Sequence, residues 1–259
     1  MQTSYIWHKF NIYSYKVVLT FVIGASCFIT TESRAQLPGG INLPNFDEQT
    51  VHYGFLIGGH TSRFRLKYSD AFTAPALDSV HSILPTQKFG FKIGFIVNLH
   101  LFQYLDVRVA PTFSFYQLGL DYRYDNGSEF QELRDPTYFE LPILLKYKSV
   151  RRENRAIYLL AGLTPSIKVS GNKKQEDSSE RLLIEKFNLS LDVGVGLDLF
   201  QPLFKFSPEV RYSFGLLNVL DAEENDFSAG IESLNIHSFT IYVTFEGGPS
   251  TFRKKARKY

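Results

Sequence analysis

The chain has few of the sequence features that support covalent cross-links, helical membrane spans or nucleic-acid binding. Cys27 is its only cysteine, so no disulfide can form within one molecule. A membrane-spanning helix needs about 20 apolar residues, and only the N-terminal run Val17 to Thr30 approaches that length. Lysine and arginine outnumber acidic residues by only 28 to 26, which gives no sign of a nucleic-acid partner. These shortages exclude a disulfide scaffold and a multi-helix membrane protein.

The N-terminal segment has the pattern of an export signal. Lys9 and Lys16 precede the apolar run, and Ser33-Arg34-Ala35 follows it. A basic region, a short apolar region and a small-x-small site predict a secretory signal that is cleaved after Ala35. One alternative is an uncleaved anchor helix. The other is lipidation at Cys27, whose surroundings loosely resemble a lipoprotein cleavage site.

The remaining sequence is dominated by a two-residue alternation of apolar and polar or small residues. From Phe187 to Leu199 every odd-numbered residue is apolar, and every even-numbered one is polar or glycine. A period of two predicts a β-strand with one apolar and one polar face. The run exceeds the usual soluble strand of about 5–6 residues and is long enough to cross a bilayer, which takes about 9–11 residues.

Eight segments carry this alternation and are predicted to be strands. They are Val51–Ser62, Phe89–Leu101, Leu105–Phe115, Phe139–Lys148, Ile157–Val169, Phe187–Leu199, Phe206–Leu216 and Phe239–Phe245. Short links alternate with long polar links, and the long ones are predicted to be loops: Lys67–Pro85, Tyr124–Pro136, Ser170–Glu185 and Asn218–Leu234. This alternation is typical of the periplasmic turns and extracellular loops of outer-membrane barrels. The predicted fold is all-β, an eight-stranded antiparallel transmembrane barrel with both mature termini in the periplasm.

Alternation alone does not decide which face points outward. A soluble, lipocalin-like barrel would turn the apolar face inward. Here the apolar faces are uniformly large, while glycines gather on the opposite face, where a narrow interior must fit facing side chains. Aromatic residues stand near the strand ends, as in interfacial girdles: Tyr53, Phe89, Tyr138, Phe139, Tyr147 and Phe245. A closed barrel also satisfies all backbone polar groups within lipid, so we expect the apolar face to be outside.

With that orientation, charged residues of both signs point into the lumen. They are Lys92, Asp106, Arg108, Glu140, Lys146, Lys168, Asp192, Asp198, Glu209 and Arg211. The lumen of an eight-stranded barrel is just wide enough for side chains to fill. Because an unpaired buried charge is costly, we expect these residues to pair and hold the barrel together. An ion path or a proton relay is the alternative interpretation.

Catalytic and metal-binding patterns are weak. His52 and His100 fall near the ends of neighbouring predicted strands and form the best candidate pair, but no carboxylate or serine accompanies them in a recognisable motif. Metal-ligand spacings, phosphate-binding loops and nucleotide motifs are absent from the sequence. We therefore expect no catalytic residue, no cofactor, no metal and no small-molecule substrate.

The two flanks of the predicted barrel are candidate partner-binding segments. The sequence divides into a signal peptide (1–35), a periplasmic lead-in (36–50), the barrel (51–246) and a basic periplasmic tail (247–259). In the lead-in the candidate residues are Leu43, Pro44, Asn45, Phe46 and Asp47. In the tail they are Arg253, Lys254, Lys255, Arg257 and Lys258, which are either solvated or bind an acidic partner or anionic lipid.

Four stretches of the chain resemble the PorT (SprT) family of the Bacteroidota. They are Leu43-Pro44-Asn45-Phe46-Asp47 before His52-Tyr53-Gly54-Phe55, Arg108-Val109-Ala110-Pro111-Thr112-Phe113-Ser114-Phe115, Glu140-Leu141-Pro142-Ile143-Leu144-Leu145-Lys146-Tyr147, and Arg155-Ala156-Ile157-Tyr158 with Ala161-Gly162. The resemblance implies an integral outer-membrane component of type IX secretion. That machinery exports proteins with a C-terminal signal and, in gliding species, motility adhesins. The family has no known catalytic residues to carry over.

The sequence and this resemblance together predict a non-enzymatic accessory of type IX secretion. Its expected partners are outer-membrane lipid and other components of that machinery. One alternative is a structural or adhesive barrel that displays its long loops. A third possibility is an outer-membrane enzyme that modifies lipids or peptides. One departure from many outer-membrane barrels is that Phe245 is followed by a basic extension instead of ending the chain.

Overall fold

The computed structural model describes residues 40–44, 46–47, 49–69, 72, 80–125, 127–170, 182, 184–221 and 230–247. Its strands are β1 (Val51–Tyr68), β2 (Val80–Thr86), β3 (Lys88–Phe102), β4 (Leu105–Val109), β5 (Thr112–Phe115), β6 (Leu118–Tyr124), β7 (Glu129–Arg134), β8 (Thr137–Glu140), β9 (Ile143–Lys148), β10 (Arg155–Lys168), β11 (Phe187–Phe200), β12 (Lys205–Gly215) and β13 (Ile231–Gly247). Among these residues no helix has the length and apolar character needed to span a membrane.

Ten of these strands form one antiparallel sheet that closes on itself. β4 and β5 follow each other along one path, as do β8 and β9, so each pair fills a single position of the ring. The order around the ring is β1, β3, β4/β5, β9/β8, β10, β11, β12 and β13. Across the described ranges the ring thus has eight positions, which confirms the predicted all-β, eight-stranded antiparallel barrel.

Two proline residues explain why two predicted strands are divided. β4 and β5 are separated at Ala110-Pro111, and β8 and β9 at Leu141-Pro142, because proline has no N–H to donate to a ladder. The wall nevertheless stays bonded across both breaks. Phe95 N donates to Pro111 O at 3.0 Å, and Ala110 N donates to Pro142 O at 3.1 Å.

The first and last strands of the ring close it. β1 pairs with β13 from Tyr53 opposite Gly247 to Tyr68 opposite Ile231, and with β3 on its other side. At one end of the barrel β1 begins, β13 ends, and residues 103–104, 149–154 and 201–204 make short connections. We call this the short-turn end and the opposite one the long-loop end.

Apolar side chains cover the outside of the ring and polar ones fill the inside. Phe89 and Phe95 point outward and are 67% and 70% exposed, whereas Arg108 and Lys146 point inward and are fully buried. The outward face thus presents an apolar belt to the surroundings. This arrangement confirms the predicted orientation and excludes the lipocalin-like alternative.

Part of the segments predicted to be loops forms a second sheet, so that prediction was wrong in part. β2 lies mostly within Lys67–Pro85 and β7 lies within Tyr124–Pro136, and both pair with β6 in a three-stranded antiparallel sheet. β2 and β6 contribute apolar residues to a buried cluster, and β7 pairs with the free edge of β6. The long-loop apolar cluster contains Phe64, Ile83, Tyr116, Leu118, Leu120, Tyr122, Tyr138, Leu182, Ile184, Val219, Ile231, Leu234 and Ile236.

The last predicted strand was too short for the same reason. β13 begins at Ile231, well before Phe239, because Leu234 and Ile236 point inward and pack in the long-loop apolar cluster. β1 likewise continues past Ser62 to Tyr68, with Phe64 in that cluster. The barrel wall therefore rises above the apolar belt at this end, where the cluster fills its interior.

Candidate functional site

The lumen is filled by buried charged residues that contact one another across the barrel. All three guanidinium nitrogens of Arg108 on β4 donate hydrogen bonds. Nη1 donates to Glu209 Oε2 at 2.7 Å, Nη2 to Glu246 Oε1 at 3.0 Å and Nε to Asn98 Oδ1 at 2.9 Å. Both carboxylate side chains are fully buried. Because Glu209 on β12 and Glu246 on β13 lie across the ring from β4, Arg108 connects facing walls of the barrel.

Two lysines extend this arrangement toward the short-turn end. Lys146 Nζ lies 2.8 Å from Asp198 Oδ2 and 3.8 Å from the centre of the Tyr158 ring. Lys205 Nζ lies 3.0 Å from Glu246 Oε2 and 3.7 Å from Asp198 Oδ2. A carboxylate shared between cations offsets the desolvation that each buried charge suffers.

A third set of contacts joins the network near the middle of the barrel. Arg211 Nε donates to Glu209 Oε1 at 3.0 Å, and its Nη1 lies 3.6 Å from Asp192 Oδ2. Asp192 also accepts hydrogen bonds from Thr164 and Ser190. We call the four cations and four carboxylates connected in this way the central ion-pair cluster: Arg108, Lys146, Lys205, Arg211, Asp192, Asp198, Glu209 and Glu246.

A separate buried pair lies nearer the long-loop end. Lys92 Nζ is 2.9 Å from Glu140 Oε2 and donates to Tyr116 Oη at 2.9 Å. The Tyr116 hydroxyl donates to Glu140 Oε1 at 2.7 Å, which closes a triangle of hydrogen bonds. Tyr116 belongs to the long-loop apolar cluster as well, so this pair connects the polar lumen to the apolar end.

The remaining lumen candidates, Asp106 and Lys168, lie outside the central ion-pair cluster. Asp106 contacts His100 Nδ1 at 2.7 Å and Lys148 Nζ at 3.0 Å near the short-turn end. Lys168 is only half-buried, and its Nζ donates to the carbonyl of Ile184 at 3.0 Å. The predicted lumen residues thus fall into four separate sets of contacts: the central ion-pair cluster, the Lys92–Glu140 pair, Asp106 near the short-turn end and Lys168 near Ile184.

Sequence reasoning missed two members of the central ion-pair cluster. Lys205 begins β12 one residue before the predicted strand, and Glu246 follows the predicted last strand by one residue. Both continue the alternation by a single step onto the inward face. A prediction that extended each strand to its next inward position would have found them.

The described residues of the lead-in segment (40–44, 46–47 and 49–50) lie in the mouth of the barrel at the short-turn end. Phe46 is only 2% exposed, and its ring stacks on His52 with centroids 4.1 Å apart and packs edge-on to Phe200. The His52 Nε2–H donates to the Phe46 carbonyl at 2.6 Å. Of the predicted partner-binding residues, Phe46 is therefore buried within the protein and not available to a partner, while Pro44 is exposed.

Arg151, in the turn between β9 and β10, holds the lead-in segment from outside. It donates to the carbonyl of Asn42 and, at 3.2 Å, to that of Leu43, which adopts a left-handed backbone conformation with φ 49°. It also lies 3.5 Å from the Asp47 carboxylate. Asn42 N donates to Asn154 Oδ1 at 2.8 Å, so the segment is fixed at several points.

The two histidines considered as a catalytic pair have separate partners. His52 lies opposite Asn98 in the ladder and bonds to Phe46, whereas His100 bonds to Asp106. The carboxylate beside His100 was not foreseen from the sequence, but it also contacts Lys148. Within the described ranges, no group of three or more histidine, cysteine or acidic residues could hold a metal ion.

Several predicted features lie outside the described residues. These are the signal peptide (1–35), Asn45, and the basic residues Arg253, Lys254, Lys255, Arg257 and Lys258. The described part of the tail ends with β13 at Gly247. What the geometry establishes is thus a barrel with a filled lumen and an occupied mouth at the short-turn end.

Similar solved structures include the outer membrane protein OprG from Pseudomonas aeruginosa, at 14% identity and a TM-score of 0.41 over 74% of this chain and 94% of that one. Neisserial surface protein A has 13% identity and a TM-score of 0.36 over 74% and 95%. Ail from Yersinia pestis has 13% identity and a TM-score of 0.35 over 77% and 100%.

Family membership follows from the sequence match. No curated protein matches the chain. The family described as outer membrane protein beta-barrel domain matches residues 35–221, which is more than half of the sequence. The chain therefore belongs to the outer membrane protein beta-barrel domain family and is an outer-membrane protein.

Proposed function

We propose that this barrel is a non-enzymatic accessory of type IX secretion, needed for the export of proteins with C-terminal secretion signals. The resemblance of Leu43–Asp47 and of three later stretches to the PorT family supports this assignment. In this proposal residues 1–35 are removed after export, and the short-turn end and both mature termini face the periplasm. The long-loop end faces the outside.

The filled lumen is the observation that favours an anchoring or assembly role over conduction. Arg108 is fully buried between Glu209 and Glu246, and the long-loop apolar cluster fills the opposite end. Moving a cargo through this interior would leave several buried charges unpaired, each at a cost of about 3–5 kcal/mol. The protein therefore acts through its surfaces and not through its lumen.

The short-turn end is the surface proposed to meet other secretion components. Pro44 and Ile41 are exposed there, as are Arg152 on the adjoining turn and Arg155 at the start of β10. β13 finishes at the same end, at Gly247. This surface presents apolar and cationic groups together, which suits an acidic protein partner or the anionic lipid of the inner leaflet.

Deleting the gene and measuring export tests the proposal. Proteins that carry the type IX C-terminal signal should accumulate in the periplasm and be lost from the cell surface and medium, and the intact gene should restore export. A chain truncated after residue 252 should restore the folded barrel but not full export. Normal export in the deletion strain would contradict the secretion role, and full rescue by the truncated chain would contradict docking through the basic tail.

A structural or adhesive role is the second candidate, and the second sheet favours it. Among residues of β2 and β7, Leu84, Phe130 and Leu133 are each more than 40% exposed at the long-loop end. An exposed apolar surface of this kind often marks a binding site. Removing the β6–β7 hairpin should abolish surface adhesion and spare export in this case, whereas the secretion role predicts unchanged adhesion.

A further inference from the structure

A row of cations stands on the outer face of β1, directly past the apolar belt. Arg63, Arg65 and Lys67 alternate along the strand and are all exposed on the outward side. Successive outward residues of a strand are about 7 Å apart. Their guanidinium and ammonium groups thus form a line that runs away from the belt along the barrel wall.

The row begins at the aromatic edge of the belt. Thr61, the outward residue before Arg63, lies between Phe89 on β3 and Phe239 on β13 in the ladder. Both phenylalanine rings are exposed, at 67% and 43%. Aromatic girdles mark the boundary between hydrocarbon and headgroups, so Arg63 and Arg65 lie at the depth of lipid headgroups.

A surface groove lies directly beside this row of cations. It has a volume of about 430 Å³ and is lined by Arg63, Arg65, Pro85, Tyr212, Phe214 and His237, among others. The Tyr212 hydroxyl lies 3.2 Å from His237 Nδ1, and Phe214 packs edge-on to the same imidazole ring. The groove is therefore cationic on one wall and aromatic on the other.

The two arginines lack compensating charge in the part of the chain that the structure describes. Lys67 is paired with Glu232 at 2.7 Å, but neither Arg63 nor Arg65 contacts a carboxylate there. This differs from the lumen, where Arg108 and Arg211 are each matched by carboxylates. Planar guanidinium groups with free donors are suited to bidentate contacts with phosphate.

We infer that Arg63 and Arg65 bind the phosphate group of a glycolipid in the leaflet at the long-loop end. The phosphate contacts the arginine row, and the sugar and upper acyl chain lie against Tyr212, Phe214 and Phe239. The inference rests on the proposed orientation, which places this end in the outer leaflet. It explains why cations instead of mixed charges follow the girdle on β1.

The test measures lipid binding by purified, full-length mature protein in detergent. Native mass spectrometry with monophosphoryl lipid A as the probe would compare the wild type with Arg63→Gln/Arg65→Gln. The matched control is Arg123→Gln/Lys186→Gln, which removes two exposed cations that do not line the groove. We expect about a tenfold weaker apparent Kd for the first variant, corresponding to about 1.4 kcal/mol, and no change for the control.

Three further binding measurements identify which part of the lipid is recognised. Arg63→Lys/Arg65→Lys should bind lipid A with intermediate affinity, because lysine keeps the charge but loses the planar fork. A dephosphorylated lipid A should bind the wild type as weakly as it binds the glutamine variant. Displacement of lipid A by millimolar inorganic phosphate would show a free-anion site and overturn the lipid assignment.

Equal lipid A affinity in the wild type and the Arg63→Gln/Arg65→Gln variant would overturn the site itself, as would an equal loss in the control variant. Resistance of unheated protein to unfolding in SDS verifies that each variant is a folded barrel. Because binding is measured on purified protein, its failure is distinct from failure of the secretion role, which the gene deletion measures in cells.

Discussion

Phe46 and His52 stack face to face at the short-turn end, with an angle of 9° between the two rings. The same imidazole donates a hydrogen bond to the Phe46 backbone carbonyl. A residue of the lead-in thus contacts the first strand of the barrel through both its side chain and its backbone. The lead-in is part of the folded unit and covers the lumen charges from below.

Phe46→Ala should release the lead-in segment without unfolding the barrel. Loss of a buried phenylalanine side chain costs about 3–5 kcal/mol, and here the cost is confined to the contacts with His52 and Phe200. Hydrogen exchange of residues 41–50 should rise strongly, while exchange in the barrel strands stays slow. Ile41→Ala is the control because Ile41 is 60% exposed, and equal exchange in both variants would refute the anchoring role.

Arg108→Ala should destabilise the whole barrel. Removing one partner of a buried ion pair costs about 3–5 kcal/mol, since Glu209 and Glu246 would keep buried charges without their shared cation. The free energy of unfolding in urea, measured in lipid vesicles, reports the change. Lys67→Ala, which removes only an exposed pair with Glu232, should cost less than about 1 kcal/mol; a similar loss in both variants would contradict the structural role of the lumen pairs.

Gly196→Ala should disturb the lumen through Tyr158. The two residues are opposite each other in the β10–β11 ladder, and an added Cβ at Gly196 would overlap the Tyr158 ring. Moving that ring breaks the hydrogen bond from its hydroxyl to Glu209 Oε2, which is 2.9 Å long. We expect a loss of about 1–3 kcal/mol in unfolding free energy.

The outward-facing Gly59 provides the control for this steric argument. A Cβ there would contact only the flexible Phe89 side chain, at 3.2 Å. Gly59→Ala should therefore leave the near-ultraviolet circular dichroism of the barrel unchanged, whereas Gly196→Ala should alter its tyrosine bands. Identical spectra for the two variants would show that the lumen has room beside Tyr158.

Acid should loosen the second sheet through Asp121 on β6. Burial raises the pKa of this carboxyl, but hydrogen bonds from Gln131 Nε2 and Thr86 Oγ1 outweigh it, so the pKa is lower than its ordinary value. A depressed carboxyl pKa adds stability above the ordinary value, and that stability is lost as the pH falls through the folded pKa. The hydrogen-exchange protection factors of β2, β6 and β7, taken relative to the intrinsic exchange rate at each pH, should therefore fall below about pH 4.

Asp121→Asn separates this carboxyl from other acid effects. The variant should exchange faster than the wild type at neutral pH and show a flatter response to acid in β6. A wild-type acid response in the variant would assign the effect to another group. The change should remain small, because Asp121 is only partly buried.

The alternation of side chains was sufficient to predict the barrel and its inside-out polarity. Residues 187–199 illustrate why: a strand in lipid must show one apolar face along its entire length, so even a single sequence carries the pattern. The second sheet was missed because β2 contains Pro85, which argues against a strand. Its pairing partner, β6, is far away in sequence and cannot be inferred from local pattern.

The identity of charge partners could not be read from the sequence either. Arg108 and Glu246 are separated by 138 residues, and their contact depends on the curvature that brings facing walls of the ring together. The alternation placed Arg108 inside the lumen, but any inward carboxylate at the same height would have fitted equally well. Phe46 was recognised as a notable residue, yet its insertion beside His52 depends on a turn at Leu43 that no pattern indicates.

The pairing of β1 with β13 also means that the ring can close only after the last strand has been added. Because Tyr53 pairs with Gly247, the ring stays open until almost the whole barrel sequence has been delivered. Until then Arg108 and Lys205 lack Glu246, which both of them contact. Charge neutrality inside the wall and closure of the wall are thus reached together. A nascent chain cut short before the final strand would retain an uncompensated positive interior, which makes an incomplete molecule chemically distinguishable from a finished one.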